Sequence, residues 1–158
     1  MPDSDRFAVP SFLTPHEQVP AALRDVLVEA DGCLQNGFLT GGTACSRRAI
    51  EMMLTSARVD GDTFEQRVKS LHDKHGVPQM LTSILVQCGT AIGRDGTKLS
   101  AKVLELFLAT MKAVAHELYV LGPERSQRLQ YIRNLVGPVS QQATPQDVDV
   151  PAEVGAAT

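Results

Sequence analysis

The chain has 158 residues, enough for one domain with little room for a second, and 43% of them are apolar, so a real core can form. Aromatic residues make up only 4% and tryptophan is absent, which leaves an aliphatic core of the kind packed helices use. The net charge of −3 divides into −2 over residues 1–19, −3 over 137–158 and +2 between them, a balance that permits nucleic-acid contact without arguing for it.

Residues 1–18 read as a polar lead with Pro2, Pro10 and Pro15, in which Phe7 and Phe12 can dock on the body. They carry neither the basic start nor the apolar centre of an export signal, so a cytoplasmic location is expected. Pro20 suits the first turn of a helix. From there Val19, Leu23, Val26, Leu27, Ala30, Leu34 and Phe38 recur at helical spacing, and Asn36-Gly37 closes the segment. The second helix is expected to start near Thr40 or Thr43 and to run to about Ala57. Its apolar residues, Cys45, Ala49, Ile50, Met52, Met53, Leu54 and Ala57, cover more than half the circumference, and Arg47, Arg48, Glu51 and Thr55 share the rest.

Asp60-Gly61-Asp62 reads as a turn, with Asp62 as helix cap and Glu65 at the capping-box position. The third helix then runs from Thr63 to Lys74 with Phe64, Val68 and Leu71 inward. His75-Gly76-Val77-Pro78 ends it and restarts the chain. The fourth helix, Gln79 to Ile92, carries Met80, Leu81, Ile84, Leu85, Cys88 and Ile92, and Gly93-Arg94-Asp95-Gly96 is a loop. The fifth, Ser100 to Leu121, is apolar all round except for one row, Lys102, Glu105, Ala109, Lys112 and His116. A helix like that belongs at the centre of a bundle or across a dimer interface. Those charges also exclude a membrane span. Gly122-Pro123 is expected to break it before a basic amphipathic helix, Pro123 to Leu135, with Arg125, Arg128 and Arg133. Residues 137–158 read as a disordered acidic tail. The expectation is therefore an all-α, single-domain antiparallel bundle of five to six helices over residues 19–136.

Arg47, Arg48 and Glu51 are costly on a mostly buried helix unless paired or used. Arg48 and Glu51 lie three apart and Arg47 and Glu51 four apart, so both arginines can reach the carboxylate. Three readings stand: a buried structural pair of Arg48 with Glu51, a solvated face, and an arginine fork held for a phosphate or carboxylate.

The Asn36-Gly37-Phe38 connection, the run Arg47-Arg48-Ala49-Ile50-Glu51, the capped short third helix and the ending Leu118-Tyr119-Val120-Leu121 before Pro-Glu-Arg together resemble a bacterial helical domain family. That family is usually placed in the HEPN superfamily and also occurs appended to type I restriction-enzyme subunits. The resemblance covers about residues 20–133 and implies a helical bundle with the Arg-Glu pair tying the second helix to the fourth. Family members carry an arginine, a Gly-Asn pair and a histidine after the fourth helix. Here Gly89 matches, Thr90 stands for Asn, about Arg94 stands for His, and the arginine is missing.

Arg67 and His72 have the arginine, four residues, histidine spacing of HEPN ribonucleases, in which the arginine holds phosphate and the histidine moves a proton. Val68 follows the arginine where that motif has a polar residue. Arg94, Lys98 and Lys102, with Arg125 and Arg128, are candidate contacts for a partner or nucleic acid, salt-sensitive and without sequence preference. Cys33, Cys45 and Cys88 lack metal spacing and read as reduced, buried thiols, and no metal or cofactor is implied. The expected function is a non-catalytic binding or adaptor module, in a bacterial or phage defence or nucleic-acid-processing setting implied by the resemblance, acting as a homodimer or with a protein partner. The alternative is a metal-independent endoribonuclease using Arg67 and His72.

Overall fold

The computed structural model describes residues 14–93 and 98–142. The docking of Phe7 and Phe12, the placement of Arg94 and the disorder of residues 143–158 lie outside the described residues. The described chain is all-α: α1 (Ala21–Gln35), α2 (Leu39–Ser56), α3 (Phe64–His75), α4 (Gln79–Gly93), α5 (Ala101–His116), a π-helical turn (Glu117–Leu121) and α6 (Gly122–Gln142). It divides into two units, residues 1–124 and residues 125–158.

In α1, Leu23, Val26, Leu27 and Ala30 are buried along one stripe, as their spacing dictates. Asn36 ends the helix and Gly37 takes φ 74°, which only glycine adopts freely, so that α2 turns straight back. α2 therefore begins at Leu39, just before the expected start near Thr40 or Thr43. Thr43 lies inside the helix instead. Its hydroxyl donates to the Leu39 carbonyl (2.7 Å) and accepts from the Leu99 N–H (3.0 Å), which ties α2 to the segment entering α5. Gly42 is needed for close approach, since a Cβ there would stand 2.6 Å from Leu104 Cδ2 of α5 and 3.4 Å from Cys33 Cβ of α1.

The cap of α3 falls one residue later than expected. Thr63 accepts from the Gln66 N–H, and the Gln66 side chain accepts from the N–H groups of Asp62 and Thr63. Asp62/Glu65 and Thr63/Gln66 are equally good capping boxes in sequence. The register is set by Gly61, whose φ of 138° lets it lie against Gln66. Gly76, at φ 68°, ends α3 as expected. His72 Nδ1 lies 2.8 Å from the Val77 carbonyl and His75 Nε2 2.8 Å from that of Ala57, so both rings fasten the C-terminal end of α3.

α5 is the centre of the first unit, packed against α1, α2 and α4, with Leu104, Phe107, Leu108, Met111, Val114 and Ala115 buried. Of the two placements its all-round apolar character allowed, this is the bundle centre. Its apolar surface is largely covered, Leu106 being its one large exposed apolar side chain among the described residues. The break expected at Gly122-Pro123 is a π turn, in which the Gly122 N–H reaches back to the Glu117 carbonyl. Pro123 has no N–H to give and its ring would strike the carbonyl four residues back in a regular helix, which the wider turn relieves. Tyr119 in this turn donates to Ser56 Oγ of α2 (2.9 Å). α6 runs on through Gly137-Pro138 to Gln142, past both the expected end at Leu135 and the start of the expected tail at 137.

Candidate functional site

Thr40, Thr43, Ala44, Arg47, Ile50 and Glu51 recur three and four apart, so they form one continuous face of α2, within an arc of roughly 120°. A cleft of about 510 Å³ opens over the C-terminal half of this face. Its walls are Ile50, Arg47 and Glu51 from α2, Thr63, Phe64 and Glu65 from the start of α3, Gly89, Thr90 and Ile92 from α4, and Phe107 from α5. A second cavity of about 110 Å³ continues along the same face, lined by Thr40, Thr43, Ala44, Arg47 and Lys98. Arg47 belongs to both.

The charges of the large cleft are arranged unevenly. Glu51 pairs with Arg67 of α3 (3.0 Å) and Glu65 with Lys69 (2.7 Å). Arg47 donates one Nη2–H to the Ile92 carbonyl at the end of α4 (3.1 Å) and has no carboxylate partner among the described residues. Arg47 thus links α2 to α4 through a backbone oxygen. The expected Arg48–Glu51 pair is absent, and both residues are exposed. Arg48 is turned about 60° from Glu51 toward solvent. α3 brings Arg67 to the carboxylate from the other side.

Gly89 shapes the wall of the cleft. A Cβ at that position would stand 2.2 Å from Phe64 Cε1, so the ring lies where a side chain on α4 would be. A lone glycine inside a helical pattern is the sequence signal for such an approach. Phe64, Thr63 and Phe107 were legible only as core or cap residues. Their meeting with Arg47 depends on how four helices cross.

Arg67 and His72 do not converge. Five residues apart on one helix, they point about 140° from each other, one to Glu51 and one to the Val77 carbonyl. Lys98 and Lys102 are exposed before and within the first turn of α5, while Arg125 and Arg128 are exposed on α6 in the second unit. Among the described residues no three His, Cys, Asp or Glu side chains are grouped to hold a metal, and no helix is long and apolar enough to cross a membrane.

Two thiols are shifted. Burial pushes Cys45 up, helped by the Glu29 charge and by Cys33 beside it, and burial alone pushes Cys88 up. Cys88 is buried, whereas Cys33 and Cys45 are only half-buried, and all three are free. In the unfolded chain these thiols ionise near their ordinary value of 9.0, while the fold holds them protonated beyond it. Above that pH the unfolded state binds fewer protons than the native one, so stability falls as pH rises from 9.0 toward the raised native values. Urea titrations at pH 8 and pH 10 should show this loss, and it should be smaller in Cys88→Ala.

Comparison with known proteins gives no match to this chain, whether with family models, with curated proteins or with solved structures.

Proposed function

We propose that the chain is a non-catalytic helical binding module that works through a protein partner, in the first place a second copy of itself. The observation that carries this reading is the surface of α6. Leu129, Tyr131, Ile132 and Leu135 are between 47% and 65% exposed and share an arc of roughly 160°. An apolar helix face of that width normally lies against protein. An antiparallel pair of α6 helices would cover both apolar faces at once. On this reading the dimer expected from the sequence would form through α6 and not α5. A bacterial or phage defence or nucleic-acid-processing setting is supported by the family resemblance alone. An endoribonuclease reading has no geometric support, since Arg67 and His72 are engaged apart.

Light scattering at tens of micromolar should give the mass of a dimer. Leu129→Glu combined with Ile132→Glu should give a monomer of unchanged helical content. A wild-type monomer that recovers no partner in pull-down would overturn the reading. RNA cleavage in EDTA that is lost in both Arg67→Ala and His72→Ala would replace it with the ribonuclease.

A further inference from the structure

We propose that the groove along α2 binds a small anionic amphiphile, a monocarboxylic acid with an aromatic or branched aliphatic body. This site lies wholly within residues 40–107 and does not depend on the α6 interface. Its volume, about 510 Å³, falls in the range that holds small molecules. Its apolar surfaces come from Ile50, Phe64, Ile92 and Phe107, on all four helices that meet there. Of these, Phe107, Ile50 and Ile92 are core residues, and Phe64 is fixed by its fit over Gly89, so the site is pre-formed.

The head group follows from charge. Glu51 and Glu65 already have cations, Arg67 and Lys69. Arg47 is anchored by one hydrogen bond to Ile92, which fixes its guanidinium at the junction of the two cavities with further N–H donors unused. A planar donor fork of that kind matches a carboxylate. Lys98 lines the adjoining small cavity together with Arg47 and adds a second positive charge on that side of the groove. The two glutamates in the large cleft make a doubly charged phosphate less favourable than a single carboxylate, and they disfavour a second acid on the ligand body. Thr90 spends its hydroxyl proton on the Val86 carbonyl, so its end of the cleft offers no comparable donor to a neutral polar ligand.

Three probes of one shape separate the terms: 4-phenylbutyrate, 4-phenylbutanamide and 4-phenylbutylamine, titrated into the full chain and followed by amide chemical shifts. The acid should bind roughly tenfold more tightly than the amide, and the amine most weakly. The shifts should centre on Arg47, Ile50 and Thr90. Arg47→Gln should erase the preference for the acid while leaving the amide affinity, and Lys98→Gln should reduce it by a smaller factor. Gly89→Ala should weaken acid and amide alike, because the new methyl drives the Phe64 ring into the cleft. Equal affinity for the three probes, no saturable binding at millimolar concentration, shifts centred elsewhere, or a folded Arg47→Gln protein that still prefers the acid would each overturn the proposal.

Discussion

Phe107→Ala is expected to cost about 4 kcal/mol, among the largest losses a single core truncation brings. Phe107 is fully buried at the centre of α5, and it is also the floor of the cleft beside Arg47. Removing the ring deletes packing on both sides, and the void left behind joins a cavity that already exists, so the surroundings have little reason to collapse onto it. Against a total stability of roughly 5–15 kcal/mol for a domain of this kind, the variant would stand near the edge of folding. Thermal unfolding should show the midpoint lowered by more than about 10 °C. A loss below about 1 kcal/mol would mean that α5 does not occupy the centre described for it.

Asp31→Ala should be the next most damaging change. Asp31 of α1 pairs with Lys112 of α5, and the lysine side chain is only 11% exposed. Without its carboxylate the ammonium is left largely buried and uncompensated, at a cost of about 3 kcal/mol, near the low end for buried pairs because Asp31 is itself 29% exposed. The double change Asp31→Leu with Lys112→Met should recover much of this, since an apolar pair of similar volume avoids the desolvation penalty. Arg48→Ala, on an exposed face, should stay within about 0.5 kcal/mol of the parent. Denaturant titration of the four proteins orders them directly, and an Arg48→Ala loss as large as that of Asp31→Ala would contradict the assignment.

That contrast shows what the sequence could and could not convey. Helical periodicity placed Lys112 correctly in the polar row of α5 and placed Glu51 and Arg48 correctly on the polar arc of α2. It fixes directions around one helix axis, however, and carries nothing about which neighbour stands opposite. Periodicity therefore points to a buried pair within α2, at a spacing of three, whereas the buried pair joins residues 81 positions apart. Helix order and most helix ends were legible, because Asn36-Gly37, Gly76 and Pro78 act through their own backbone torsions. The start of α3 was not, since two capping boxes overlap there and the choice rests on Gly61 touching Gln66. The continuation into α6 was missed for a related reason. Pro123 forbids one hydrogen-bonding pattern, and the chain adopted another without stopping. Arg47, Glu51 and Gly89 stand out in the sequence one by one, but nothing in it joins them into a cleft. The aromatic half came only with the crossing of α3 and α5.

The bond from Leu99 to Thr43 has a consequence for motion. Leu99 precedes α5 and has no helical partner for its N–H, so by secondary structure alone that amide would exchange with solvent as freely as a loop. Its acceptor is instead the hydroxyl of Thr43, a residue that is 5% exposed, on a helix packed against α1 and α5. Exchange at Leu99 then requires α2 and α5 to part, an opening of the whole core rather than of a local segment. One side-chain oxygen thereby extends the slow, cooperative part of the molecule a full turn beyond the last regular hydrogen bond.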